Sequence, residues 1–500
     1  MNHPVVTHDS VPEAENPTTR GPRNWGGVAI AQTIFLAAVF AIPALLCVHT
    51  ACVRDTDIWW HLRTGEWILQ HHAVPQVDPY SSTLAGKTWL AYSWLFDLLL
   101  VKLFYRFGLT GIVLYSTSMV LAIAVALNHL MQRLGGNFYR MLLLSFVSVF
   151  SMGHLYTPRP WLLTILLFVL ELDILMQVRK TGRARELLWL PAIFALWANV
   201  HIQFVDGLAV LGLVWVESVV ESWGSTQSLD THARPAWISA ALVASLLATL
   251  ANPFGWRIYG AAYDLATQGG ALHTIAEMQA MPFRDVLDFL ILLMAMASAA
   301  AMAWRRRFPV FEGGLLIFAA VLSFRSLRDV WVMAAVGATI LASNLGDEKK
   351  TAARLPRLAT ALAVVAAGIA ALVGFHRYGT NAQLEAQVVE YLPVHAVEAV
   401  QAKGYAGPLF NTYGWGGYLI WSLRMPVSSD GRAAFYGDKN LERATETWNA
   451  EPNWASDAQL MAAGVVIGPV KSPLTQLLRL DSRFQLVYED KLAAVFVPRR

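Results

Sequence analysis

The sequence predicts a polytopic α-helical membrane protein that ends in a small α/β domain, and three observations predict it. Hydrophobic residues make up 56% of the 500-residue chain and charged ones only 15%, against roughly 25% charged in soluble domains. Apolar runs recur from residue 24 to residue 376, many of them close to the about 20 residues that a helix needs to cross the hydrocarbon core. Beyond residue 377 the pattern turns to mixed helix and strand signals. The same composition excludes disorder over most of the length. A net charge of +3, with basic residues in short groups, lacks the basic stripe of a nucleic-acid binder.

Residues 24–53 contain no Asp, Glu, Lys or Arg and predict the first span. The stretch is too long for a cleaved signal peptide, and Ala44-Leu45-Leu46 offers no small-x-small cleavage site. Cys47 and Cys52, five apart on one helix, face away from each other, so no disulfide and no cysteine metal site is expected. Further runs at about 109–130, 139–157, 160–178, 187–204, 207–223, 236–252, 286–304, 312–325, 329–346 and 358–376 predict about eleven crossings. Basic residues at Arg20, Arg23, Arg133, Arg140, Arg179, Lys180, Arg183, Arg185, Arg305–Arg307, Lys349, Lys350, Arg354 and Arg357 fall on one side if the crossings alternate. The positive-inside bias then makes 1–24 a cytoplasmic tail, 25–376 a membrane domain with its first external loop at 51–92, and 377–500 an extracytoplasmic α/β domain. Strands are expected at 407–410, 465–468 and 492–497, with helices near 383–403, 455–463 and 473–480.

The outward ends carry the unusual residues. Arg54-Asp55-Thr56-Asp57-Ile58-Trp59-Trp60-His61-Leu62-Arg63 opens the first loop, and Trp59, Trp60 and Trp67 suit an amphipathic helix at headgroup level. Asp55 or Asp57 caps that helix on one reading. On the other, Asp57 and His61 share a helix face and Asp57 accepts a proton from an acceptor hydroxyl, or Asp55 and Asp57 hold a divalent cation. Arg159 in Pro158-Arg159-Pro160, and Arg325 and Arg328 further on, are outward arginines that run against the positive-inside bias and suit a phosphate or pyrophosphate. His201 and Glu277 lie in other outward turns. Within the spans, Glu171, Asp173, Asp206 and Glu217 are costly in lipid, and Glu171 is expected to pair with Asp173. Trp415-Gly416-Gly417-Tyr418 and Asp430-Gly431-Arg432 read as structural corners of the C-terminal domain, with aromatics able to stack on a sugar.

An Asp-x-Asp-x-Trp-Trp-His-Leu-Arg stretch directly after the first of about eleven spans, with an outward C-terminal domain, resembles the GT-C class of polyprenyl-phosphate-sugar-dependent glycosyltransferases. Asp57 to Arg63 resembles the first-loop acid and the aromatic-His-x-Arg stretch of archaeal oligosaccharyltransferase catalytic subunits, and Thr274-Ile275-Ala276-Glu277 resembles their Thr-Ile-x-Glu. The turn at 156–160 departs from them in lacking paired acids, and Trp-Trp-Asp is replaced by Tyr413-Gly414-Trp415-Gly416-Gly417-Tyr418, which argues against peptide glycosylation. The whole pattern is more similar to a broad group of bacterial GT-C-like membrane proteins. The resemblance implies a protein of the bacterial inner membrane that binds membrane lipid and a polyprenyl-phosphate-linked sugar and moves the sugar to an acceptor on the outer side. It implies catalytic roles for Asp57, Asp55 and His61 and substrate contacts for Arg63, Arg159, His201, Glu277, Arg325 and Arg328. No nucleotide loop is present and no cofactor is required, with a divalent metal at Asp55, Asp57 and Glu277 as the one option. A transporter or flippase for a lipid-linked or anionic substrate, and a non-catalytic envelope assembly protein, are the competing expectations.

Overall fold

The computed structural model describes residues 25–49, 52–223, 234–267, 275–306, 308–345 and 357–499. The expected tail 1–24, the basic residues Arg20, Arg23, Arg307, Lys349, Lys350 and Arg354, and Thr274 of the Thr-Ile-x-Glu stretch lie outside them. Helix α1 (Trp25–His49) is followed by α2 (Ile58–His71), α3 (Trp94–Phe107), α4 (Leu109–Leu134), α5 (Phe138–Ser151), α6 (Trp161–Thr181) and α7 (Leu190–Val200). Next come α8 (Phe204–Trp223), α9 (Pro235–Thr249), α10 (Arg257–Thr267), α11 (Val286–Trp304), α12 (Val310–Arg325), α13 (Val330–Leu345) and α14 (Arg357–Tyr378).

The chain is a multi-pass membrane protein. Among the described residues, α1, α4, α6, α11 and α14 are long and apolar enough to cross a membrane. The 25 residues of α1 span about 37 Å, more than the roughly 30 Å of a hydrocarbon core. A helix stands at each of the eleven apolar runs, but several are short; α7 has 11 residues and reaches only about 16 Å.

Packing follows side-chain size. On α14, Ala363, Ala367 and Ala371 recur every fourth residue and are buried, while Leu362, Val365, Ile369 and Val373 on other faces are exposed, as a lipid-facing surface requires. This small-residue seam packs along α1, and a Cβ at Gly374 would stand 2.9 Å from Leu45. Helix α13 is the central helix, with 14 of its 16 residues buried against α4, α5, α11 and α12. The expected pairing of Glu171 with Asp173 is not found. Asp173 accepts from Arg133 at 2.5 Å, whereas both Glu171 oxygens lie buried without a hydrogen-bond partner beside Gly207. The helical repeat explains this: two residues apart, the side chains point to different faces. Glu217 is held by Arg179 at 2.7 and 2.9 Å.

The C-terminal part begins with α15 (Asn381–Tyr391) and α16 (Val394–Lys403), then β1 (Leu409–Asn411), α17 (Tyr413–Leu423), α18 (Asp438–Trp448), β2 (Val465–Pro469), α19 (Pro473–Leu480), β3 (Phe484–Glu489) and β4 (Ala493–Pro498). The sheet order is β1-β2-β4-β3, with β1 and β2 parallel and the other pairs antiparallel. Strand β3 escaped the sequence pattern because it is a largely exposed edge strand without clean apolar alternation.

One local reading is corrected. Trp415 to Tyr418 form part of helix α17 rather than a corner. Its glycines serve close approach: a Cβ at Gly416 would overlap Ser429 O, and one at Gly417 would stand 2.7 Å from Thr56 O. In helix α2, Ile58, Trp59 and Leu62 are buried, and the helix packs between α3 and α17. Its apolar face is satisfied by protein instead of lipid. Parallel bridges from Ser81 to Val427 and from Val427 to Leu409 join the first loop to the edge of the sheet, and one hydrophobic core runs from the bundle into the C-terminal part.

Candidate functional site

Beneath the C-terminal part lies a cavity of about 780 Å³, walled by α2, α10, the turns that precede α6, α8 and α13, and the loop at 430–435. On one side Pro158 and Pro160 restrain the backbone around Arg159, and Tyr115 donates to the Arg159 carbonyl at 3.0 Å. The guanidinium reaches across to the first loop, where Nε donates to Asp55 Oδ2 at 2.5 Å and Nη1 donates to Asp57 Oδ2. Asp57 is the residue before α2, but its side chain makes no cap bond; Asp55 instead accepts from the Asp57 backbone N–H at 3.0 Å. The first-loop acids are thus a pair gathered on one arginine.

Electrostatics follow from burial. Removal from water pushes the Asp57 carboxyl up to about 7; Arg159 opposes this, and the like charges of Asp55, Glu277 and Asp430 add to it. Burial alone would lower Arg159, but Asp55, Asp57 and Glu277 hold it well above its ordinary value. A carboxyl near neutrality beside a permanent cation is suited to proton exchange.

His61, in the first turn of α2, lies one turn after Asp57 and also faces the cavity. Its ring stacks on Trp60 with centroids 3.6 Å apart, and Nδ1 lies 2.5 Å from Asp97 Oδ1 on α3. Burial first, then Arg159 and His201, hold this imidazole well below its usual range, while burial raises Asp97. Across the cavity His201 follows α7, with Nδ1 at 2.9 Å from Thr164 Oγ1 and Nε2 at 3.5 Å from Arg328 Nη2. Arg328 lies over the Trp161 ring at 5.1 Å, its Nε is buried without a partner, and no described carboxylate ion-pairs with it. Glu277, half-buried in the turn Ala276–Met278, lines the mouth.

The cavity therefore gathers Asp57, His61, Arg159, His201, Glu277 and Arg328, with Asp55 behind Arg159. Two of the expected residues point elsewhere. Arg63 donates to Glu66, which Arg424 also binds, and Arg325 donates to the Ala266 carbonyl at the end of α10 at 2.9 Å. Among the described residues no three His, Cys, Asp or Glu side chains converge as a metal cage would need, and Arg159 occupies the space between the two acids.

Asp97, Tyr413 and the 430–432 turn escaped the sequence reading as site residues. Tyr413 donates to the Gly431 carbonyl at 3.0 Å, and a Cβ at Gly431 would overlap Asp57 Oδ1. Asp430 accepts from Arg432 Nε at 2.8 Å and Nη2 at 2.7 Å, and Arg432 Nη1 donates to Asp78 at 2.6 Å, clasping this turn onto the first loop. An Asp-Gly-Arg tripeptide signals a turn but carries no sign of what lies opposite its glycine.

This helical bundle, with its C-terminal sheet and helices above the first loop, shares the GT-C fold of solved membrane glycosyltransferases. The crystal structure of the Archaeoglobus fulgidus oligosaccharyltransferase in its apo form aligns at TM-score 0.57 and 12% identity, over 89% of this chain and 70% of that one. The archaeal oligosaccharyltransferase AglB from the same organism, in complex with an inhibitory peptide and a dolichol-phosphate, aligns over the same shares at TM-score 0.52 and 12% identity. ArnT from Cupriavidus metallidurans in the apo state aligns at TM-score 0.47 and 14% identity, over 94% of this chain and 97% of that chain. At these identities the likeness is one of fold. No protein-family model matches the chain, and no curated protein sequence matches it significantly.

Proposed function

We propose that this protein moves a sugar from a polyprenyl-phosphate carrier to an acceptor on the extracytoplasmic side of a bacterial inner membrane, with inversion. The observation that carries the reading is the Asp55–Arg159–Asp57 group facing a large cavity on a GT-C fold, with a second arginine, Arg328, on the same cavity and ion-paired to no described carboxylate. A neighbour of that fold was solved with dolichol-phosphate.

In the step proposed, an acceptor hydroxyl attacks the anomeric carbon while the bond from that carbon to the phosphate oxygen breaks. The phosphate leaves with the bonding electrons, and the hydroxyl proton passes to Asp57. A phosphate leaving group needs little protonation, so its developing charge is met by Arg328 rather than by an acid. Arg159 orients Asp57, and Trp256, exposed on the wall, offers a ring face to a sugar. No step is routed through a metal.

Asp57→Asn tests the reading in a deletion strain complemented with the variant, with envelope glycans read by mass spectrometry. Loss of a general base costs typically 10²–10⁴-fold, so the glycan product should nearly vanish while protein level and melting temperature hold. Asp55→Asn should cost less. Unchanged glycans with Asp57→Asn would overturn the proposal, and transport of a lipid-linked substrate by that same variant would move the protein to the flippase class.

A further inference from the structure

Three buried groups outside the acid pair form a chain that ends on the cavity. Trp197 Nε1 donates to Thr164 Oγ1 at 2.8 Å, and Thr164 Oγ1 lies 2.9 Å from His201 Nδ1. Thr164 is fully buried on the first turn of α6. Its hydroxyl carries one proton, and the indole N–H is a donor only, so that proton has His201 Nδ1 as its one acceptor among the described side chains. A buried hydroxyl proton left without an acceptor is costly, and the chain is satisfied only when Thr164 donates to Nδ1. Burial first, then the charges of Arg328 and Arg159, keep the ring neutral. With Nδ1 accepting, the ring proton must sit on Nε2.

That places two donors face to face. Arg328 Nη2 is 3.5 Å from His201 Nε2, and a guanidinium cannot accept a hydrogen bond. Neither group satisfies the other, and Arg328 Nε is also without a partner. One oxygen about 2.8 Å from each nitrogen would satisfy both.

We infer that Trp197 and Thr164 lock His201 in the Nε2–H form so that His201 and Arg328 together make a two-donor cradle for a phosphate oxygen. Thr164 and Trp197 are positioning residues that never touch the ligand. The inference rests on the proposed carrier-phosphate reading of this cavity and adds the device that makes a histidine a donor there. The phosphate belongs either to a lipid headgroup or to a free anion, and two probes separate these sources.

The test measures binding of inorganic phosphate and of geranyl phosphate to the purified full-length protein in detergent by isothermal titration calorimetry. A hydrogen bond to a charged group is worth enough that Thr164→Val should weaken binding by about ten-fold or more, while Thr164→Ser, which keeps the donor, stays within about three-fold of wild type. His201→Gln presents an amide N–H with no tautomer to set, so adding Thr164→Val to it should change nothing further. Tighter binding of geranyl phosphate assigns the cradle to a lipid headgroup, and equal binding of both probes assigns it to a free phosphate. Wild-type binding in Thr164→Val, or an equal loss in the His201→Gln background, overturns the relay. Nitrogen NMR of the His201 ring in the unmodified protein gives an independent reading if Thr164→Val does not fold; an Nδ1–H form overturns the inference. Asp57-dependent sugar transfer with no Thr164 effect on binding refutes the relay alone. Thr164-dependent phosphate binding without sugar transfer refutes the transferase reading alone.

Discussion

Gly431→Ala is the smallest change that reaches the proposed base from a part of the chain more than 370 residues away. A Cβ at this position would overlap Asp57 Oδ1 outright, and would stand 2.6 Å from the carboxyl carbon and 3.0 Å from Oδ2, where ordinary contacts begin at 3.4 Å. The carboxyl carbon must therefore retreat by about 1 Å, and misplacement of that order costs about 10²-fold in rate. This corresponds to about 2.7 kcal/mol of transition-state stabilisation. Asp57 cannot swing aside freely, because Oδ2 is held by Arg159 and the backbone is held at the start of α2. Overpacking of this kind costs about 1–3 kcal/mol of stability, which a melting curve in detergent will show as a modest shift. The assay is glycan mass spectrometry in the complemented deletion strain, with the double variant Asp57→Asn/Gly431→Ala as the control. If Gly431 acts through Asp57, the double variant is no worse than Asp57→Asn alone. Gly431→Ala with more than half of wild-type product would refute the reasoning.

Two further outcomes are expected. Only the ionised carboxylate accepts a proton, and burial pushes Asp57 up to about 7, so the transfer rate should rise with pH and reach half its maximum near pH 7; a flat profile between about pH 5 and 8 would remove Asp57 as the base. Gly374→Leu on α14 forces a branched side chain where even a Cβ would stand 2.9 Å from Leu45, so the seam with α1 should open and the melting temperature fall, with about 1–3 kcal/mol lost. An unchanged melting temperature would show that the two helices do not depend on this contact.

The sequence by itself determined the helical membrane class and the position of nearly every bundle helix, because lipid demands long apolar stretches and their composition is local information. It also marked Asp57, Arg159, His201 and Arg328, since charges at span ends are costly unless they have a task. Only the tertiary structure decided which of these meet. Arg159 and the first-loop acids are about a hundred residues apart and share a salt bridge, whereas Arg63, two residues after His61 on α2, turns away from the cavity to Glu66. The same limit explains α17, where two glycines read locally as a turn and are in fact the price of two backbones packed closely. Asp97 and Thr164 read as ordinary members of apolar helices. Their hydrogen bonds to His61 and His201 come from other helices, and a contact between helices is set by how the bundle packs, which no single stretch of sequence contains.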